Sequence, residues 1–209
     1  MRKLIFGKKY VQPPSFIFDL GLNTTTNGTV TRTTDHKGGN TAIQFGSGDL
    51  VSMNNLPASP VWSFSFWIKT TDTSSLRCII AVNGVTTGNR EWGILIESGK
   101  IRAEINNAGQ AWLNVGTAPT IINNNIWHHV VVILDSTQAA SNEVKIWIDN
   151  ISQTLTKSYN SDTSGNFINK GLIFGRTSTN LNYFNGATSP IKIYNRPLNQ
   201  TEITNLYNE

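Results

Sequence analysis

The sequence predicts an all-β fold in which two antiparallel sheets pack as a sandwich, followed by one short C-terminal helix. Only 14% of the 209 residues are charged, and Asn, Thr, Ser and Gly are abundant, a composition that disfavours long helices and supplies many turns. Several short segments alternate apolar and polar residues, as strands with one face in a core do. Nine phenylalanines and six tryptophans suffice to fill one core between the sheets, so we expect a single domain.

Residues 1–15 are predicted to form a basic N-terminal arm that precedes a domain over residues 16–209. The basic and aromatic side chains of the arm are Arg2, Lys3, Phe6, Lys8, Lys9 and Tyr10. Its four cations account for the net charge of +4, because the other 13 basic residues are balanced by 13 acidic ones. A balanced domain surface argues against a nucleic-acid partner. We expect the arm to dock on a protein such as a capsid or fibre; a nucleic-acid contact and a solvated tail are the alternatives.

The first half of the domain contains one strongly alternating strand. It follows a short strand at residues 16–19, a polar stretch at residues 21–40 that predicts surface loop or sheet edge, and strands at residues 41–45 and 50–53. In residues 62–69, Trp62, Phe64, Phe66 and Ile68 fall on one face and Ser63 and Ser65 on the other. This pattern predicts a half-buried strand with its serines towards water.

The second half contains a predicted hairpin, a central strand and the helix. Residues 92–97 and 100–105 flank Ser98-Gly99, which predicts a hairpin with Arg102 and Glu104 facing water. Residues 126–134 become apolar on both faces and predict a central strand. Further strands are predicted at residues 144–149, 171–175 and 191–194. Asn199, with Glu202 three positions later, predicts a capped helix over the last dozen residues.

Three stretches in this order resemble the laminin G-like, concanavalin A-like lectin and glucanase superfamily. They are residues 42–51 with 64–69, then Trp127-His128-His129-Val130-Val131 with residues 144–150, then Phe184-Asn185-Gly186 with residues 191–207. The resemblance covers about residues 16 to 207 and implies an antiparallel jelly-roll β-sandwich. Two positions depart from the family pattern: Asn150 replaces a usual glycine, and Ser189-Pro190 replaces a usual acidic pair.

The side chains that could support catalysis or metal binding are few. Glycosidases of this superfamily place carboxylates on alternate residues of one strand, but Glu97 and Glu104 are predicted to lie on a solvated face. The adjacent His128 and His129 should point to opposite faces and therefore cannot share a metal. His36 stands in a loop without an obvious Cys, His or acidic companion. Asp49 is a calcium candidate by resemblance; the alternative is a turn-forming aspartate that accepts backbone amides.

Loop residues of this chain have the chemistry of sugar sites, in which an aromatic ring stacks on a sugar while amides and charged groups bind its hydroxyls. The candidates for carbohydrate binding are Arg90, Trp112, Arg176, Asn182 and Tyr183. Trp112 is equally well explained as a core residue. No cofactor is required by this interpretation, although it allows calcium.

The sequence therefore favours a non-catalytic, lectin-like surface module that binds a glycan or a surface protein. The basic start lacks the apolar stretch of a secretion signal and no apolar run is long enough to span a membrane, so we expect a virion or extracellular surface location. Phage particles leave by lysis and need no such signal. The alternative is a structural capsid or surface decoration protein, and the least favoured class is a glycoside hydrolase. The oligomeric state stays open, and a homo-oligomer is compatible with the sequence.

Overall fold

The computed structural model describes most of the chain from Phe16 to Glu209. The described residues are 14, 16–19, 24–46, 48–53, 56–82, 90–107, 114–159, 167, 171–175 and 182–209. The strands are β1 (Phe16–Phe18), β2 (Thr24–Asn27), β3 (Thr31–Thr33), β4 (Ala42–Phe45), β5 (Leu50–Met53), β6 (Val61–Lys69), β7 (Arg77–Val82), β8 (Arg90–Glu97), β9 (Lys100–Asn107), β10 (Asn114–Ile121), β11 (His128–Asp135), β12 (Val144–Ile148), β13 (Ile151–Ser152), β14 (Thr156–Tyr159), β15 (Leu172–Phe174), β16 (Gly186–Thr188) and β17 (Ile191–Tyr194). A 3₁₀ turn covers Ala140–Asn142, and the helix α1 covers Gln200–Tyr207.

The strands form two antiparallel sheets, as the sequence predicts. The first sheet has the order β13-β12-β11-β6-β16-β4-β3, and β17 pairs with both β6 and β1 beside this path. The second sheet has the order β14-β10-β9-β8-β7-β15-β5-β2. The polar stretch before β4 supplies the edge strands β2 and β3, which agrees with its prediction as loop or edge. Within the described chain, no helix is long and apolar enough to cross a bilayer.

The core between the sheets contains the apolar face of β6, as its alternation predicts. Trp62, Phe64, Phe66 and Ile68 join one large cluster of buried residues. The prediction that β6 is half-buried is wrong, because Ser63 is also buried, on the other face, and its hydroxyl donates to the backbone oxygen of Arg196. A second apolar cluster covers this outer face of the first sheet; it comprises Val61, Val131, Ile133, Tyr194, Leu198, Ile203 and Leu206. The C-terminal helix thus forms a third layer.

Two tight turns have the left-handed backbone that their residues allow. Ser98 and Gly99 join β8 to β9 with φ of 50° and 77°, which confirms the hairpin. A Cβ atom at Gly99 would lie 2.6 Å from the side chain of Asn123, so a larger residue at this position would be strained. Asp149 and Asn150 turn in the same way before β13, with φ of 50° and 66°. Asparagine tolerates this conformation better than most residues, which explains how Asn150 replaces the usual glycine.

The helix α1 begins at the predicted cap but is shorter than a dozen residues. The Asn199 side chain accepts a hydrogen bond from the Glu202 backbone N–H at 3.0 Å, and the Glu202 carboxylate accepts one from the Asn199 N–H at 3.0 Å. Glu202 also receives two hydrogen bonds from Arg196, at 2.7 and 2.9 Å. These bonds anchor the first turn of the helix to the segment that follows β17.

Candidate functional site

A polar cleft of about 460 Å³ lies where the loop after β6 meets the segment before β16. We call it the Tyr183 cleft. Its lining residues are Thr71, Asp72, Thr73, Ser74, Arg77, Asn182, Tyr183 and Asn185. One aromatic ring, two side-chain amides, four hydroxyl groups including that of the tyrosine, and one ion pair thus line a shared space, a combination that suits a hydroxyl-rich ligand.

Backbone pairing holds the two walls of the Tyr183 cleft together. The Cys78 N–H donates to the Asn182 carbonyl at 2.8 Å, and Cys78 and Tyr183 form a parallel bridge. The buried Thr70 hydroxyl donates to the Asn185 carbonyl at 2.6 Å, so both ends of the segment are fixed to β6 and β7. Phe184 is fully buried in the core, and this anchors the chain beside the half-buried Tyr183. The walls are therefore preorganised by the sandwich.

Among the described residues that line the Tyr183 cleft, the two charged ones, Asp72 and Arg77, form an ion pair. The Arg77 Nε–H donates to Asp72 Oδ2 at 3.0 Å, and the guanidinium also donates to the Ser74 hydroxyl at 2.7 Å and the Leu76 carbonyl at 3.0 Å. Burial raises the pKa of Asp72, but hydrogen bonds from Ser74 and the charge of Arg77 outweigh it and hold that pKa below its ordinary value. The carboxylate is therefore ionised at neutral pH.

Two of the five predicted sugar-binding residues, Asn182 and Tyr183, line this cleft. Trp112, Arg176 and the side chain of Arg90 lie outside the described residues, as do all six arm residues, so their predicted roles stay predictions. The sequence analysis missed Asp72 and Arg77. The signal available for them was the polar run at residues 70–75 between two apolar strands.

Asp49 occupies the tight turn between β4 and β5. Its Oδ1 accepts the Thr29 N–H at 2.7 Å and its Oδ2 accepts the Gly46 N–H at 2.8 Å. Both oxygens therefore serve backbone donors, the geometry of a turn-forming aspartate. Among the residues described here, no group of three His, Cys, Asp or Glu side chains is arranged for a metal. Calcium prefers six to eight oxygen ligands, and calcium binding at Asp49 stays a prediction.

The prediction that Glu104 faces water is wrong. Glu104 is only 3% exposed and lies opposite Gly93, where the missing side chain leaves room for its carboxylate. Burial raises the pKa of Glu104 to about 7, although Arg102 opposes the rise. Arg102 also donates to Glu97 at 2.8 Å, so one guanidinium lies between the two carboxylates. A glycosidase pair needs that space for the sugar, which argues against such a role for Glu97 and Glu104.

The two adjacent histidines point to opposite faces of β11, as predicted. His128 contacts Asp149 at 2.7 Å, whereas His129 Nε2 lies 3.0 Å from the Ser65 hydroxyl on the outer face. The His36 ring stacks on Trp67, with centroids 4.1 Å apart and planes 13° from parallel, a contact that the sequence analysis did not predict. His36 lies in the turn after β3 and Trp67 lies in β6, so the two residues are distant in the sequence and their contact could not be predicted from it.

A family model described as the concanavalin A-like lectin/glucanases superfamily, of laminin G type, matches residues 23–204. The chain belongs to this superfamily. The resemblance inferred from the sequence is thereby confirmed. Among curated proteins, no sequence matches this superfamily member.

Solved structures with the same sandwich include carbohydrate- and receptor-binding domains. Domain 4 of an extracellular arabinanase from Geobacillus stearothermophilus, solved with arabinotriose, is 17% identical with a TM-score of 0.68, over 88% of this chain and 87% of that one. The receptor-binding domain of botulinum neurotoxin C/D mosaic serotype is 17% identical with a TM-score of 0.66, over 88% of this chain. The botulinum neurotoxin D ligand-binding domain, solved with N-acetylneuraminic acid, is 18% identical with a TM-score of 0.64, over 90% of this chain.

This superfamily member spans just under half of each neurotoxin chain, 46% in both cases. At these low identities the similarity shows the shared sandwich.

Proposed function

We propose that the protein is a non-catalytic glycan-binding module whose sugar site is the Tyr183 cleft. The observation that carries the proposal is the convergence of Tyr183 with the amides of Asn182 and Asn185 beside the Asp72–Arg77 ion pair. A half-buried tyrosine offers a ring to the C–H face of a sugar, and amides both donate to and accept from hydroxyls. The sandwiches of the arabinanase domain and the neurotoxin D domain, which were solved with sugars, support this proposal by analogy.

We further propose that the preferred glycan is neutral. Recognition of an anionic sugar calls for a cation that is free to pair with its carboxylate. Arg77 already donates hydrogen bonds to Asp72, Ser74 and the Leu76 carbonyl. The ion pair of Arg77 with Asp72 adds no net charge to the cleft. An arabinose-type oligosaccharide therefore fits the cleft better than a sialylated one.

The first experiment is a glycan array with the full-length protein, run with calcium and again with chelator. Binding that survives in chelator supports the proposal. Binding that is lost in chelator would show that calcium is required, and the turn at Asp49 would then be the candidate calcium site. Titrations with arabinotriose and with N-acetylneuraminic acid then test the preference for neutral sugars. A blank array under both conditions would contradict glycan binding altogether.

Variants of the cleft locate the binding site. Tyr183→Ala should abolish or strongly weaken binding, whereas Tyr183→Phe should largely retain it because the ring is kept. Ile151→Ala is the matched control, since Ile151 is 66% exposed and does not line the cleft. Trp112→Ala tests the remaining aromatic candidate. If Tyr183→Ala binds as wild type while Trp112→Ala does not, the site lies at Trp112 and not in the Tyr183 cleft.

We propose that the module is displayed on a virion surface and anchored by its basic N-terminal arm. The proposal rests on the charge of residues 1–15 against a balanced domain. Deletion of these residues should abolish association with particles and leave the sandwich folded and able to bind its glycan. Unfolding of the truncated protein, or unchanged association, would contradict an anchoring arm.

The second candidate function is a structural decoration protein that uses the sandwich for protein contacts. The large apolar side chains that the described surface exposes, at which such contacts can be tested, are Ile17, Ile121, Ile126 and Ile151. A blank glycan array together with particle binding that depends on these isoleucines would support this candidate over the glycan-binding one.

A further inference from the structure

An exposed Asn-Gly pair lies at the end of the edge strand β2. The dipeptide Asn-Gly occurs three times in the sequence, beginning at Asn27, Asn83 and Asn185. In such a pair the glycine nitrogen can attack the side-chain amide of the asparagine, because glycine has no Cβ to obstruct the approach and its backbone is flexible. Asn83 lies outside the described residues, so the first and the third pair are the two that can be compared.

The surroundings of the first pair leave its reacting groups free to move. β2 is the edge strand of the second sheet, and Asn27 is its last residue, opposite Leu50 of β5. The side chain of Asn27 is exposed, and so is Gly28. Among the described residues, none accepts a hydrogen bond from the Gly28 N–H, and none pairs with the Asn27 side chain. Local opening at the end of an edge strand therefore brings the Gly28 nitrogen to the side-chain amide at little cost.

The backbone of the third pair, in contrast, is held on both sides of its peptide bond. The Asn185 carbonyl accepts the Thr70 hydroxyl at 2.6 Å, and the Gly186 carbonyl accepts the side-chain amide of Gln44 at 3.1 Å. Gly186 begins β16, which lies inside the first sheet. A Cβ atom at Gly186 would lie 2.6 Å from the Lys69 carbonyl oxygen, so the backbone is closely packed there. The peptide cannot rotate without the loss of these contacts, although the Asn185 side chain is exposed.

We infer that Asn27 is a site of spontaneous deamidation, with water as the co-reactant, and that the fold protects Asn185 from the same reaction. The Gly28 backbone nitrogen forms a bond to Cγ of Asn27, and the side-chain nitrogen leaves as ammonia with the proton of the Gly28 N–H. The intermediate is a succinimide ring. Water then opens this ring at either of its carbonyl carbons, which yields aspartate or isoaspartate at position 27. The inference does not depend on glycan binding at the Tyr183 cleft.

The turn after β2 makes this modification consequential for the fold. The Thr29 N–H donates to Asp49 Oδ1 at 2.7 Å, and Gly28 packs closely on the same carboxylate, since a Cβ atom there would lie 2.1 Å from Oδ1. In isoaspartate the backbone passes through the side-chain methylene group and is therefore longer. The longer backbone, with a new negative charge near Asp49, should loosen β2 from β5.

The test is incubation of the full-length protein at neutral pH, folded and in urea, followed by peptide mapping with mass spectrometry. Labelling by a protein isoaspartyl methyltransferase identifies isoaspartate, and the separate peptides distinguish Asn27 and Asn185 from Asn83. In the folded protein we expect Asn27 to react roughly tenfold faster than Asn185, because two hydrogen bonds at about 0.5–1.5 kcal/mol each must break at Asn185. In urea the two rates should converge. No reaction at Asn27, equal rates in the folded protein, or a difference that persists in urea would overturn the inference.

Two variants complete the experiment. Asn27→Gln lengthens the side chain, which disfavours closure of the ring, and should remove the reaction at position 27. Thr70→Val removes the hydroxyl that holds the Asn185 carbonyl, and should raise the rate at Asn185 roughly fivefold while the rate at Asn27 stays unchanged. An unchanged rate at Asn185 in Thr70→Val would contradict protection by this hydrogen bond. The comparison of folded and urea-unfolded wild type does not depend on the folding of a variant.

Discussion

Glu104 and His129 make opposite contributions to the pH dependence of the free energy of unfolding. A variant that removes one of these groups should therefore show the pH dependence that the other one causes. Burial raises the pKa of Glu104 from 4.5 to about 7, so the contribution of this group is complete below pH 4.5 and is lost as the pH rises through 7. Burial lowers the pKa of His129 from 6.5 to about 4, so its contribution is complete above pH 6.5 and is lost as the pH falls through 4. Each pKa difference of about 2.5 corresponds to about 3 kcal/mol.

The perturbation is a pair of single variants, Glu104→Gln and His129→Phe, compared with wild type by urea unfolding at a series of pH values. The unfolding free energy of Glu104→Gln relative to wild type should rise by about 3 kcal/mol between pH 4.5 and pH 7, because only wild type loses the contribution of Glu104. The unfolding free energy of His129→Phe relative to wild type should fall by about 3 kcal/mol between pH 4 and pH 6.5, because only wild type gains the contribution of His129 over this range. Profiles parallel to wild type would refute the raised pKa of Glu104 and the lowered pKa of His129.

Three further substitutions test the packing and the turns, each by the free energy of unfolding in urea. Phe64→Ala should destabilise the protein by about 3–5 kcal/mol, since the ring is fully buried between the sheets; a loss below 1 kcal/mol would contradict that burial. Gly99→Ala should destabilise by at least about 1 kcal/mol because φ is 77° and Asn123 blocks the new Cβ, and Ser98→Ala is the matched control. Asn199→Ala should cost about 1 kcal/mol by removing the cap of α1, whereas Asn208→Ala, beyond the helix, should cost less.

The inner faces of the strands could be predicted from the sequence because they are recorded in local periodicity. The alternation from Trp62 to Ile68 identifies the core side of β6, and Ser98-Gly99 identifies a hairpin turn without any knowledge of the rest of the chain. The capping pair Asn199 and Glu202 is equally local. Each of these signals comes from residues within one element or its adjacent turn, where sequence spacing determines geometry.

The burial of the outer faces of the strands could not be predicted from the sequence, because the residues that bury them come from distant segments of the chain. Ser63 is buried by the backbone at Arg196, 133 residues away, and His36 reaches Trp67 from a turn that carries no signal for that contact. The burial of Glu104 depends on its neighbours across the sheet, including Gly93. Period-two alternation reports which residues share a face, but it does not report whether the second face is covered.

The strand β6 shows why the candidate site belongs to the part that could not be predicted from the sequence. Its inward residues, such as Phe64, build the core between the sheets. Thr70, directly after the strand, holds the wall of the Tyr183 cleft because its hydroxyl donates to the Asn185 carbonyl, 115 residues along the chain. The cleft therefore depends on the register that the core of β6 determines, although its other wall comes from a distant segment. A change that shifts this register should impair glycan binding together with folding, whereas Tyr183→Ala should impair glycan binding alone.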